Sequence, residues 1–173
     1  DLFSNAGIEF IPLKGPLLSH RLYTDASFRY SGDLDFLLPI QDIKKGIQIL
    51  EKRGYESDSF QWPDTTKAQL AFAKIHNQLL FIHPEKHLHI ELHWRLFKNK
   101  FTNPTVVAEI LASHKTPINF NGKIFQGFSN ELELLYLIIH GGLHAWKRLK
   151  WLVDIKDYIE NIQIDKAAFL QLT

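Results

Sequence analysis

The sequence predicts a domain of mixed helices and strands, α/β or α+β, on three observations. Strand and helix signals alternate in β-α-β-α order over the first 54 residues. The middle carries two hairpin signals, one across 77–94 and one at Asn121-Gly122. The last third changes to helical patterning, and no linker separates it from what precedes.

The elements follow in order. Residues 8–13 read as a strand, with Pro12 marking an edge or a strand end. Lys14-Gly15-Pro16 is a turn signal, and 17–23 has the composition of a short helix. Residues 24–32 are polar and irregular and end at Gly32. Residues 33–38 read as a mostly buried strand stopped by Pro39. Asp42 is placed to cap a helix through Arg53, whose apolar positions Ile43, Ile47 and Leu50 share one face. Gly54 stands where such a helix ends. A loop and a short helix fill 56–75. Strands are expected at 77–83 and 87–94, and a helix over 105–114. Asn130, with Glu133 three residues on, resembles a helix cap. A second helix is expected from Trp151 to Ile162, and a third near Asp165.

Composition excludes several functions. The chain has 173 residues and is 45% hydrophobic with 13 phenylalanines, enough for a substantial core. Its formal net charge of +1 supplies no global field for nucleic acid. With no cysteine there is no disulfide, thiolate metal site or thiol catalysis. The apolar runs are too short to span a membrane. The first residues are not a signal peptide, which points to the cytoplasm, and the missing initiator Met suggests a segment of a longer protein.

The carboxylates carry the chemical argument. On a strand, Asp33 and Asp35 point the same way while Leu34 and Phe36 point into the opposite layer. Two such carboxylates repel, and a bridging divalent cation removes the conflict. The competing reading makes Asp33 a turn cap and leaves Asp35 on a solvated face. Glu91, between Ile90 and Leu92, is the second clue: beside the Asp strand it would complete a three-carboxylate cluster, otherwise it is one polar residue of an exposed hairpin.

The nine histidines offer further candidates. His87, His89 and His93 share a strand face with Glu91, a pattern open to zinc or iron and to a metal-dependent hydrolase or oxygenase. His140 and His144 are one helical turn apart in a nearly all-apolar stretch, which favours hydrogen-bonded core residues over ligands. His140 facing a cleft and touching nucleotide is the other reading. Lys147, Arg148 and Lys150 form a basic cluster suited either to phosphate or to a solvated helix end.

The stretches Ile8-Glu9-Phe10-Ile11-Pro12-Leu13-Lys14-Gly15 and Phe28-Arg29-Tyr30-Ser31-Gly32-Asp33-Leu34-Asp35-Phe36-Leu37-Leu38 set a pattern. It continues through Gly54-Tyr55, Ile90-Glu91-Leu92-His93-Trp94, His140, His144 and Leu149-Lys150-Trp151-Leu152-Val153-Asp154-Ile155. In this order the landmarks resemble the uncharacterised nucleotidyltransferase family of the polymerase-β-like superfamily. The resemblance implies an α+β fold, a mixed sheet flanked by helices. Residues 1–128 would be the catalytic domain, and 129–173 a helical part packed on it. It also implies transfer of a nucleoside monophosphate from a nucleoside triphosphate with Mg2+, or Mn2+ in its place. Asp33 and Asp35 match the superfamily's paired metal ligands, and Glu91 is the candidate third acid. Lys14, Gly15, Ser31, Gly32, Lys147 and Lys150 are candidate nucleotide contacts. Arg29 is another, or it braces its loop by pairing with a carboxylate. His93, His140 and His144 are secondary candidates. One departure stands out: Gly15 is followed by Pro16 and lies farther upstream of the acidic pair than in compact members. An altered phosphate cradle, and a nucleotide-binding module without catalysis, are therefore also expected readings. The acceptor is expected to be a small molecule or a protein rather than nucleic acid. Nothing in the sequence speaks to oligomeric state.

Overall fold

A computed structural model describes residues 2–23, 25–97 and 104–172. Thr24, in the irregular stretch before the acidic strand, lies outside the described residues.

Five strands form a mixed sheet in the order β1-β2-β5-β4-β3. These are β1 (Ile11–Leu13), β2 (Leu34–Leu37), β3 (Glu56–Ser57), β4 (Gln78–His83) and β5 (Leu88–His93). β1 runs antiparallel to β2, and Pro12, opposite Phe36, sits on the sheet's edge, where a missing N–H costs least. β2 and β5 are parallel neighbours, with Asp35 directly opposite Glu91. β4 joins β5 antiparallel through the Pro84–His87 turn, and β3 closes the far edge. A separate hairpin pairs β6 (Lys115–Phe120) with β7 (Lys123–Phe128). Its turn residues Asn121 and Gly122 have φ of 52° and 77°, the left-handed pair that this type of two-residue hairpin requires.

Helices cover both faces of the sheet. On one face, Leu79, Phe81, Ile90 and Leu92 pack with Phe3 of α1 (Leu2–Asn5), with Ile43, Ile47 and Leu50 of α3 (Ile43–Glu51), and with Ala73 of α4 (Thr66–Ile75). On the other, Ile11, Leu13 and Leu37 pack with Val107, Ile110 and Leu111 of α5 (Pro104–Ser113), with Phe128 of β7, and with Leu132 and Tyr136 of α6 (Asn130–Leu143). α2 (Gly15–Tyr23), α6 and α7 (Leu149–Asn161) meet in a third cluster around Leu18, Leu137 and Tyr158. α8 (Lys166–Gln171) follows, capped by the Asp165 carboxylate, which accepts from the Ala167 and Ala168 N–H groups.

Several boundaries differ from the sequence expectation. The 8–13 strand shortens to Ile11–Leu13, and the Lys14-Gly15-Pro16 turn is the entrance of α2 itself. Asp42 makes no side-chain cap, because it closes a 3₁₀ turn (Ile40–Asp42) that hands the chain directly to α3. Gly54 ends α3 as expected. At φ 82° it donates to Glu51 O, and Tyr55 N–H reaches Leu50 O, a Schellman pattern. Ser129, not Asn130, caps α6, accepting from Leu132 N–H. The two-residue strand β3 was not expected. No helix among the described residues is long and apolar enough to cross a membrane.

Candidate active site

Alternation along β2 and β5 puts Asp35, Glu91 and His93 on the face that carries Ile11, Leu13 and Leu37. That face is covered by α5 and α6 at one end and open at the other. The opening is a cleft of about 960 Å3. Its lining includes Lys14, Gly15, Arg29, Ser31 and Asp33 before β2, the triad Asp35, Glu91 and His93 on the sheet, and His140, His144, Lys147, Arg148, Lys150 and Trp151 from α6, α7 and their connection.

The centre is tightly coupled. One ligand atom from each of Asp35, Glu91 and His93 falls within 4.8 Å of the others. His93 Nε2 stands 3.3 Å from Asp35 Oδ1 and 3.1 Å from Glu91 Oε2, so this nitrogen carries the proton that both carboxylates share. Its Nδ1 is buried with no partner among the described residues. Lys14 Nζ reaches Asp35 Oδ2 at 3.3 Å, lies 5.7 Å from the Tyr136 ring centroid and is 3.5 Å from His140 Nε2. Burial alone would raise the Asp35 carboxyl, but the His93 hydrogen bond and the Lys14 charge outweigh it and hold it well below the usual range. Burial works equally against the Lys14 ammonium, and the charges of Tyr136 and Asp35 overcome it and push its pKa up. Burial beside Lys14 and His144 pulls His140 down to about 3, so its ring is neutral at physiological pH.

Asp33 is placed differently from Asp35. It precedes the β2 ladder, is exposed, and stands outside the triad while lining the same cleft. The Ser31 hydroxyl donates to Asp33 O at 2.7 Å and steadies the turn before the strand, where Gly32 is exposed. Gly15 lies against this turn. A Cβ there would meet Ser31 Oγ at 3.5 Å, and both Lys14 and Gly15 hold left-handed φ, 52° and 55°. For lysine that conformation costs about 1–2 kcal/mol. Lys14 and Gly15 line the cleft at the entrance of α2, where the N–H groups of Gly15 and Leu17 have no intrahelical acceptor and Pro16 has no N–H to offer.

Arg29 is buried in a bidentate pair with Asp154 of α7, Nε donating to Oδ1 at 2.8 Å and Nη2 to Oδ2 at 2.9 Å. Lys147 and Arg148 lie just before α7 and Lys150 in its first turn, the positive end of the helix. Cations gain nothing from that dipole, whereas an anion held there gains from both dipole and side chains. His140 and His144 do not form a closed core. Their rings are 4.7 Å apart and within 5.4 and 5.2 Å of the Trp151 ring, and His144 is exposed. The expected row of β5 histidines does not assemble either, because His87 belongs to the preceding turn and His89 is exposed at the far end. Tyr136, Trp151 and Asp154 were not singled out for the site. Trp151 and Asp154 stood in a recognised landmark, and Tyr136 was hidden in an apolar helix.

The family model described as uncharacterised nucleotidyltransferase matches residues 1–173. The chain belongs to this nucleotidyltransferase family. Solved structures similar to this nucleotidyltransferase share its α+β fold. The lincosamide antibiotic adenylyltransferase LnuA, bound to lincomycin, is 18% identical with a TM-score of 0.61, over 91% of this chain and 90% of that one. ANT(2'')-Ia in complex with adenylyl-2''-tobramycin is 14% identical with a TM-score of 0.61, over 99% and 92%. An antigenic nucleotidyltransferase-like protein from Paracoccidioides brasiliensis is 17% identical with a TM-score of 0.56, over 91% and 70%. No curated protein matches this nucleotidyltransferase in sequence.

Proposed function

We propose that the chain transfers a nucleoside monophosphate from a nucleoside triphosphate to a hydroxyl of a small molecule or protein. The observation that carries this reading is the in-register pairing of Asp35 with Glu91 on parallel strands, in a cleft whose other wall is cationic.

The donor set fits a divalent cation. Asp35 and Glu91 offer oxygens, Asp33 adds a carboxylate at the rim, and His93 would offer Nε2 once a cation between the carboxylates displaced its proton to Nδ1, which has no partner among the described residues. Asp33, Asp35 and Glu91 would hold Mg2+ or Mn2+, which when bound supplies charge neutralisation for the phosphates. The remaining work belongs to the chain. The first N–H groups of α2 and the Lys14, Lys147 and Lys150 ammoniums bind the triphosphate. The acceptor oxygen forms a bond to the α-phosphorus in line with the bond that breaks to the β-phosphate bridging oxygen. Pyrophosphate leaves, and the hydroxyl proton passes to Glu91, which His93 orients. The lincomycin and adenylyl-2''-tobramycin in two similar structures support a small-molecule acceptor.

Calorimetric titration with nucleoside triphosphates and Mg2+, followed by radiolabelled triphosphate with an acceptor panel, tests this. Asp33→Asn and Asp35→Asn are expected to abolish binding. Glu91→Gln is expected to keep binding within a few-fold and to lower label transfer by roughly 100-fold or more. Unchanged binding and turnover in both aspartate variants sinks the proposal. Binding with no transfer to any acceptor makes the chain a nucleotide-binding module, the reading that Pro16 at the cradle favours. Tightly held zinc or iron in untagged protein would point instead to a hydrolase or oxygenase centre around His93.

A further inference from the structure

Asp154 and Lys150 are four residues apart on α7, the spacing at which a lysine and an aspartate pair along a helix. They do not pair here. Asp154 is 2% exposed and both its oxygens are taken by Arg29, which arrives from the loop before β2, 125 residues away in sequence. Lys150 forms no salt bridge among the described residues, although it lines the cleft with Arg29 and Asp33. A buried ion pair is not needed for stability, since apolar residues of similar volume serve as well. A two-pronged Arg–carboxylate contact does fix geometry: it turns one lone pair of each Asp154 oxygen toward Arg29, and the guanidinium charge offsets the pull of the carboxylate on Lys150.

We propose that the Arg29–Asp154 pair is a charge lock: by engaging Asp154 from outside its helix, Arg29 keeps that carboxylate off Lys150 and leaves the Lys150 ammonium free for the phosphates of a bound triphosphate. This inference rests on the proposed triphosphate site. Arg29 and Asp154 are positioning residues in it, acting through Lys150. The lock also ties the Ser31–Asp33 turn to α7, so the rim carboxylate and the free lysine are held by one contact.

The test is a set of double-mutant cycles read by calorimetry, with Mg2+ and inorganic tripolyphosphate as the probe. Lys150→Gln is combined with the wild type, with Arg29→Gln and with Arg29→Gln/Asp154→Asn. Removing one charge-assisted contact lowers affinity about tenfold. That loss is expected for Lys150→Gln in the wild type and in the Arg29→Gln/Asp154→Asn background. In Arg29→Gln alone it is expected to shrink to less than about twofold, because the released Asp154 has already captured Lys150. A general loss of structure would not restore the Lys150 effect in the doubly neutral background. Arg29→Gln removes the bidentate partner of a buried carboxylate, so all variants are measured in the same concentration of trimethylamine oxide and checked by near-UV circular dichroism. An equal Lys150→Gln loss in all three backgrounds, or none in the wild type, overturns the lock. Failure of the wild type to bind the probe at all overturns the triphosphate site itself.

Discussion

At the scale of single residues, the two aspartates separate by burial. Asp35 is 5% exposed and balances Lys14, whereas Asp33 is exposed. Asp35→Asn leaves a half-buried ammonium without its counter-charge and is expected to cost about 3 kcal/mol in denaturant unfolding. Asp33→Asn is expected to stay within about 0.5 kcal/mol of wild type. Equal stability of the two variants would refute the assignment of different roles. His140 gives a pH signature. Its folded pKa, about 3, lies below the ordinary histidine value, so the unfolded chain binds the extra proton first. Its contribution to stability is complete above the unfolded pKa and is lost as pH falls through the window down to about 3. His140→Gln should flatten part of the slope of unfolding free energy against pH in that window. A slope identical to wild type counts against the burial of a neutral ring. Alternation alone showed Asp33 and Asp35 on one side of a strand, but which of them is buried depends on where the ladder begins, and that is set by β1 and β5.

At the scale of elements, local rules worked where a single residue decides the backbone. The left-handed positions at Gly54 and Asn121-Gly122 were legible because few residues adopt them cheaply. They failed where two candidates compete, as with Asp42 against a 3₁₀ turn and Ser129 against Asn130. The connection from α6 to α7 was not legible. Ala145 and Trp146 both hold left-handed φ, 52° and 53°, and the Trp146 ring folds back on Gly141, where an added Cβ would lie 2.1 Å from Cζ3. This is why a glycine stands at 141 within α6, between the two histidines. Gly141→Ala is predicted to expel the indole and cost about 1–3 kcal/mol. Increased quenching of tryptophan fluorescence by acrylamide would report the expulsion, and an unchanged quenching constant would exclude it.

At the scale of the whole molecule, the site belongs to no one segment. The Asp-x-Asp spacing and Glu91 were readable as carboxylates on strands, but their meeting required β5 to lie parallel beside β2. That neighbour relation is set by α3, α4 and the β4–β5 hairpin filling one side of the sheet. The pairing of Arg29 with Asp154 was one of two readings of Arg29, and its partner could not be named because no local pattern links residues so far apart. The Lys14 contact has the same reach, joining the entrance of α2 to the central strand and to α6. A divalent ion binding Asp35 as proposed would therefore exchange for a cation already in residence, and the released ammonium would become available to the phosphates of the triphosphate. Metal and triphosphate should then bind as linked ligands, each tightening the other by the same factor. Mg2+ alone is expected to bind weakly, and its affinity should rise at least about tenfold in saturating tripolyphosphate. In Lys14→Ala the bare-metal affinity should rise and the linkage should shrink, turning a cooperative pair of events into two nearly independent ones.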